Sequence, residues 1–138
     1  MVARRNWTRR WWDTSRENYR IATGTAVIEE LGVGAHPAKS LCLEMMACVP
    51  ILPVSDRIAE IVAMYIKHHV MPRNPVGDAL HLALASAHGC HFLLTWNCAH
   101  LANANKQEHI RHVNAMLGLP MPVLTTPLEL LTIKEESL

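Results

Sequence analysis

Apolar and polar residues alternate along the chain with two periods, one typical of amphipathic helices and one of short strands. The helical period predicts helices over residues 6–17, 25–31, 37–48, 56–69, 76–88 and 106–117. Short apolar runs beside glycine, proline or asparagine predict extended segments over residues 19–23, 50–54, 92–95 and 123–124. Because the two kinds of element alternate, we expect an α/β fold, a three-layer sandwich with a mainly parallel sheet.

Residues with special backbone preferences mark the ends of these elements. Ser55 is predicted to cap the helix over 56–69, while Gly89 and Gly118 are expected to end the two helices that precede them. Residues 126–129, with the sequence TPLE, have the spacing of a capping box and would start a last helix. The helix over 76–88 is apolar on most sides, which predicts a central, buried position.

Length and composition limit the class of protein. A chain of 138 residues fits one domain, residues 1–138, and contains no apolar run long enough to cross a membrane. Basic residues near the amino terminus are not followed by the apolar segment of a signal peptide, so a cytoplasmic location is expected. The four cysteines are irregularly spaced, and we expect them to be free thiols.

Charge is concentrated rather than spread over the sequence. The formal net charge is only +1, yet arginines and tryptophans alternate near the amino terminus: Arg4, Arg5, Trp7, Arg9, Arg10, Trp11, Trp12, Arg16 and Arg20. One interpretation is an amphipathic helix with tryptophans on the core and arginines in water. The other is a surface that contacts RNA, because arginine neutralises phosphate and tryptophan stacks on bases.

Three polar side chains lie at positions where this architecture is expected to converge. Glu30 lies on the helix after the first extended segment, Asp78 in the first turn of the buried helix, and Asn97 directly after the strand over 92–95. Carboxylate and amide oxygens gathered at strand ends bind Mg²⁺ or Mn²⁺. Each residue also has a structural interpretation: Glu30 as a solvated charge, Asp78 as a partner of the helix dipole, Asn97 as a turn residue.

Histidines form two further arrangements that could carry chemistry. His81 follows Asp78 by one helical turn and would share its face, either bonding the carboxylate or packing in the core. The group His88, Cys90, His91, Cys98 and His100 contains zinc-type ligands. Its spacing lacks the regularity of zinc-binding pairs, so a zinc site is the less favoured interpretation.

Several segments together resemble one protein family. They are DALHLALA at 78–85, LLTWN at 93–97, HLAN at 100–103, AVIEEL at 26–31 followed by Gly34 and Pro37, the Trp11–Trp12 pair, and TPLE at 126–129. In order and spacing they are similar to the PIN-domain proteins, in the branch of the VapC-type toxins. The resemblance covers nearly the whole chain, and its specificity comes from the joint pattern.

The resemblance implies a metal-dependent endoribonuclease that hydrolyses RNA phosphodiester bonds, acting as a toxin that an antitoxin protein neutralises. By motif position, Glu30, Asp78 and Asn97 match the family's second, third and fourth metal-binding positions, with Glu29 as the substitute for Glu30. The metal would be Mg²⁺ or Mn²⁺. A second copy of the chain is a further candidate partner, and a non-catalytic PIN-like module for RNA or protein binding is the alternative function.

The chain departs from the family pattern at its start. The family opens with a central apolar strand that ends in aspartate, and this sequence has Asp13 after Arg and Trp residues instead. Only 17 residues separate Asp13 from Glu30, too few for the intervening strand, crossover helix and second strand. Asp13 is therefore not taken as the first ligand. We expect either a start upstream of Met1 or a degenerate, inactive relative whose sheet lacks its inner strand.

Overall fold

The computed structural model describes residues 2–32, 39–70, 76–95 and 104–130. These residues form a mixed α/β structure that is mostly helical. The elements in chain order are α1 (Val2–Ser15) with a 3₁₀ turn (Arg16–Asn18), α2 (Thr25–Gly32), α3 (Lys39–Ala47), α4 (Asp56–Lys67), α5 (Val76–Ala87), β1 (Phe92–Leu94), α6 (Ala104–Leu117) and β2 (Val123–Thr125). Residues 127–130 are again helical. Most predicted helices agree with this order, although α1 begins at Val2 instead of residue 6.

Strand pairing within the described residues is sparse. Strands β1 and β2 form a two-stranded parallel sheet in which Leu93 lies opposite Leu124. The predicted extended segments 19–23 and 50–54 contribute only an isolated parallel bridge between Thr23 and Ile51. Residues 19–23 therefore do not form the strand predicted for them, because a short segment becomes a strand only where a neighbour pairs with it over several residues. A small parallel sheet is present, and a three-layer sandwich is not confirmed.

One edge of β1 has no strand beside it in the described structure. The Val123 amide donates to the His91 carbonyl at 2.8 Å, and the Thr95 amide donates to the Thr125 carbonyl at 2.9 Å. Odd-numbered residues therefore direct their backbone groups to β2, while Phe92 and Leu94 direct theirs to the opposite edge. Pairing at that edge is absent from the part of the chain that the structure describes.

Helix α5 is the centre of the hydrophobic core, as its apolar sequence predicts. Five consecutive residues, from Leu82 to Ser86, are buried, so neighbours surround the helix on more than one face. The core also contains Ile58, Ile61 and Tyr65 from α4, Ile110 and Val113 from α6, and Leu124 from β2. A buried helix of small and branched apolar residues is stabilised mainly by this packing.

Three helices end in the same way. After α5, the Gly89 amide bonds to the Ser86 carbonyl and the Cys90 amide to the Ala85 carbonyl, with Gly89 at φ +66°. Gly118 ends α6 in the same arrangement, with φ +70°. This is the Schellman motif, which favours glycine because the left-handed backbone leaves no room for a Cβ atom. Both predicted helix ends are confirmed.

Helix α4 uses the same motif without a glycine. His69 has φ +56° and donates its amide to the Ile66 carbonyl, while the Val70 amide donates to the Tyr65 carbonyl. A histidine in this backbone conformation is strained by roughly 1 kcal/mol or more relative to glycine. At the other end of the helix, Ser55 occupies the cap position with an extended backbone, but its side chain makes no capping hydrogen bond.

A polar network joins α4, α5 and α6 inside the core. The Tyr65 hydroxyl donates to Oδ1 of Asn114 at 2.6 Å and lies 3.3 Å from Oγ of Ser86. Nδ2 of Asn114 donates to Oγ of Ser86 at 3.0 Å and to the Pro120 carbonyl at 3.1 Å. All three side chains are at most 1% exposed. Since buried polar atoms are costly without partners, this network fixes how the three helices meet.

Helix α1 packs through its tryptophans against a second, smaller cluster, with Trp11 buried and Trp7 and Trp12 partly buried against it. Trp11 is buried against Leu130, and Tyr19, Ile21 and Leu94 surround this pair. The Tyr19 ring lies 5.7 Å from the Trp11 ring and 5.9 Å from the Phe92 ring. The helix and the segment around Tyr19 therefore both lie beside β1.

Candidate active site

Asp78 is the predicted site residue whose side chain the structure describes. It lies in the first turn of α5 and is half-buried. His81 lies one turn later on the same helix and is also half-buried, as the spacing predicts. A carboxylate at this position interacts favourably with the positive end of the helix dipole. The side chain lies at one end of the central helix and is partly exposed to solvent.

Glu30 lies on α2, which packs against α5. The neighbouring Glu29 is exposed, whereas the side chain of Glu30 lies outside the described part of the structure. At Gly24, directly before α2, an added Cβ atom would lie 2.8 Å from Cδ1 of Leu84. The absence of a side chain at Gly24 is what lets the start of α2 approach α5 this closely.

Asn97 falls outside the described residues, so the predicted convergence of Glu30, Asp78 and Asn97 stays a prediction. What the structure does give is the strand that leads to Asn97. Strand β1 follows α5 after the Gly89 turn, runs parallel to β2 and ends at Leu94. The carboxyl end of a parallel strand is the place where α/β proteins bind ligands.

Asp13 lies within α1 and is exposed. The described residues before Asp13 are helical, so it does not follow a strand, which is the setting that the resemblance implies for a first metal ligand. Across residues 2–32, 39–70, 76–95 and 104–130 there is no group of three or more His, Cys, Asp or Glu side chains that could hold a metal ion. The described residues therefore supply one of the three predicted ligands, Asp78.

The histidines and cysteines considered for zinc show no metal-site chemistry in the described region. His88 has Nε2 at 3.2 Å from the Pro53 carbonyl, an ordinary surface hydrogen bond. Burial raises the pKa of the Cys90 thiol, which disfavours the thiolate that zinc binds. Cys98 and His100 lie outside the described residues. Cys42, Cys48 and Cys90 are free thiols, as expected.

A surface groove of about 480 Å³ lies elsewhere on the molecule. It runs along α4 and reaches Leu117 of α6, and Arg57, Glu60 and Lys67 supply its charged lining. Since α5 contributes none of the described lining residues, the groove is separate from the end of the helix that carries Asp78.

Two arginine–tryptophan pairs on and next to α1 could not be deduced from the composition alone. The guanidinium carbon of Arg10 lies 5.6 Å from the centre of the Trp7 ring, and that of Arg16 lies 5.2 Å from the centre of the Trp12 ring. In the sequence, the spacing of three residues from Trp7 to Arg10 and of four residues from Trp12 to Arg16 could have predicted these contacts, because residues three or four apart are neighbours on a helix. Both distances are typical of cation–π contacts.

Comparison with protein families, with curated proteins and with solved structures gave no match. Within the described residues, no helix combines the length and the apolar character needed to cross a lipid bilayer.

Proposed function

We propose that this chain is a PIN-type, metal-dependent endoribonuclease, the toxin of a toxin–antitoxin pair, built on a three-layer α/β sandwich. One observation carries the proposal: a half-buried aspartate, Asp78, begins the most buried helix, and that helix leads directly into a parallel strand. The sequence order of acid, buried helix, parallel strand and Asn97 is the order that the family resemblance implies.

The contact between α2 and α5 supports a shared site. Glu30 follows Gly24 by six residues, and Asp78 precedes Leu84 by six residues. Six residues of helix span about 9 Å. Residues 30 and 78 therefore each lie about 9 Å along their own helix from the contact between Gly24 and Leu84.

The unpaired edge of β1 gives independent support. In the family that the sequence resembles, the opening strand lies in the middle of the sheet. In this chain the Thr23–Ile51 bridge and the β1–β2 pair are two separate parallel pairs. The segment leading to Thr23 lies beside β1, because Tyr19 and Ile21 pack in the same cluster as Leu94. This is the arrangement expected where an inner strand is lacking.

The implied ion would be held by Asp78 together with Glu30 and Asn97. A bound Mg²⁺ or Mn²⁺ supplies Lewis acidity, which lowers the pKa of a water molecule and stabilises charge on phosphate. The contribution of the chain itself is to hold one carboxylate firmly at the end of a helix that cannot move without disrupting the core. Asp78→Asn removes the charge with almost no change in shape.

The test is a cleavage assay on labelled single-stranded RNA with Mg²⁺ or Mn²⁺, comparing the unchanged protein, Asp78→Asn and Asp56→Asn. Asp56 is a matched control, because it is an exposed carboxylate in the first turn of α4 and also favours its helix dipole. We expect cleavage to fall at least about 100-fold in Asp78→Asn and to be unchanged in Asp56→Asn. Binding of Mn²⁺, measured by electron paramagnetic resonance, is expected to weaken in Asp78→Asn alone.

Equal cleavage by both variants, or metal-independent cleavage, would rule out the proposed role of Asp78. A second candidate function is favoured by the exposed arginines of α1: a non-catalytic PIN-like module that binds RNA or an antitoxin-like protein. For that function we expect RNA binding by the unchanged protein without cleavage at any Mg²⁺ or Mn²⁺ concentration.

A further inference from the structure

The amino-terminal region has a charge opposite to that of the rest of the chain. Residues 1–20 contain six arginines against Asp13 and Glu17, which is a net charge of +4. Because the whole chain has a formal charge of +1, residues 21–138 carry −3. This separation is invisible in the total charge, and it concentrates a positive potential at α1.

The arginines on this surface lie on the outside of the molecule. Arg9, Arg10, Arg16 and Arg20 are all exposed, and Trp11 alone among the three α1 tryptophans is buried. Packing of α1 on the molecule is therefore achieved by Trp11 and its neighbours. A mixture of acidic and basic residues on the outer face would be enough to keep the helix soluble, so solubility alone does not explain the excess of arginine.

Two of these arginines lie over tryptophan rings that are partly buried against the Trp11–Leu130 cluster. Arg10 lies over Trp7 and Arg16 lies over Trp12. A guanidinium held over a ring loses less conformational freedom when it binds phosphate. The part of each ring that stays exposed offers a further contact to an unpaired base. The pairs thus combine phosphate neutralisation with base stacking on one surface.

The position of α1 connects this surface to the proposed active site. Leu94, the last residue of β1, packs in the cluster around Trp11 and Leu130. A strand held on α1 would therefore pass close to the carboxyl end of β1, from which the chain continues towards Asn97.

We propose that one surface of α1 and the turn after it binds single-stranded RNA and positions it at the carboxyl end of β1. This surface consists of Trp7, Arg9, Arg10, Trp12, Arg16 and Arg20. The inference rests on the proposed ribonuclease function, since it assigns the substrate-binding surface of the same enzyme. It does not depend on metal, because neither phosphate neutralisation by arginine nor base stacking requires an ion.

Fluorescence anisotropy of a labelled 12-nucleotide RNA, measured in EDTA, tests the inference apart from cleavage. The test variant carries Arg9→Gln, Arg10→Gln and Arg16→Gln, and the control carries Arg57→Gln, Lys67→Gln and Arg111→Gln, all exposed positions outside α1. Both variants lose the same net charge. At about 0.1 M salt, loss of three phosphate contacts should weaken binding about 100-fold and lower the slope of log K against log salt by about 2.

The control variant is expected to keep its affinity within about threefold, since distant exposed charges are screened at this ionic strength. The same RNA in duplex form should bind more weakly than the single strand, and poly-glutamate of equal charge should compete poorly. Equal losses in both triple variants, a preference for duplex, efficient competition by poly-glutamate, or no binding by the unchanged protein would each overturn the inference.

Asp78→Asn separates this inference from the proposed function. It is expected to abolish cleavage and to leave RNA affinity in EDTA unchanged. If Asp78→Asn behaves in this way but the α1 variant binds normally, the ribonuclease proposal stands and the α1 surface is excluded. If the α1 variant loses binding but Asp78→Asn cleaves normally, the α1 surface is supported as an RNA-binding surface and the proposed role of Asp78 is excluded.

Discussion

Removal of a single buried hydroxyl tests the polar network at the centre of the fold. In Tyr65→Phe, Oδ1 of Asn114 loses the donor that now lies at 2.6 Å, and no water reaches a position that is at most 1% exposed. A typical hydrogen bond contributes about 1 kcal/mol net, and an unpaired buried acceptor adds about 1–2 kcal/mol. We therefore expect the free energy of unfolding to fall by about 2–3 kcal/mol.

Urea unfolding, followed by tryptophan fluorescence, measures this change. With a slope of about 2 kcal/mol per molar urea for a chain of this size, the midpoint should fall by about 1–1.5 M. Tyr19→Phe is the matched control, because the sequence has two tyrosines and the Tyr19 hydroxyl has no hydrogen bond within the described residues. Its free energy of unfolding should change by less than about 0.5 kcal/mol.

A double-mutant cycle separates the hydrogen bond from packing. Asn114→Leu removes the acceptor, so Tyr65→Phe should cost at least about 1 kcal/mol less in that background than alone. Two results would refute the reasoning: a Tyr65→Phe cost as small as that of Tyr19→Phe, or strictly additive costs in the cycle. Either would mean that the 2.6 Å contact contributes nothing that the surrounding core does not already supply.

Three further changes in stability follow from the backbone and the core. His69→Gly should raise the free energy of unfolding by about 0.5–1 kcal/mol, because glycine adopts φ +56° without strain. Gly89→Ala should lower it by about 1 kcal/mol although there is open space around the residue, because φ stays positive. Shifts of the two urea midpoints in the same direction would contradict this. Gly24→Ala should cost about 1–3 kcal/mol, because its Cβ atom would lie 2.8 Å from Leu84, and thermal unfolding should show a much smaller cost in a Leu84→Ala background. Burial raises the pKa of Tyr65 above that of the unfolded chain, about 10. The contribution of the Tyr65 hydroxyl to stability is therefore complete below pH about 10 and is lost as the pH rises above it. The difference in free energy of unfolding between the unchanged protein and Tyr65→Phe should shrink over that range.

Local chemistry explains why the helices were predictable. Gly89 and Gly118 end α5 and α6 because left-handed backbone is cheap for glycine, a property of the residue itself. Thr126 accepts a hydrogen bond from the Glu129 amide at 3.1 Å, as the TPLE spacing predicts. These contacts join residues three or four apart, so the sequence carries all the information they need.

Strands and buried networks depend on partners that are distant in the sequence. The apolar segment 19–23 was predicted as a strand, yet only Thr23 forms a bridge, because pairing depends on what lies beside it. Tyr65 and Asn114 are 49 residues apart, and no periodicity relates them. His69 likewise shows that a helix can end without the residue that the rule favours.

By itself the sequence determined the order of the helices, the central position of α5 and the residues proposed for chemistry. Apolar periodicity and helix-ending residues act over a few positions, which is why they can be read directly from the chain. Only the tertiary structure decided that β1 pairs with β2, that Gly24 lets the start of α2 approach α5, and that arginines stack on tryptophans beside β1. Those features depend on contacts between segments that are distant in the sequence, and packing in three dimensions decides which of these contacts form.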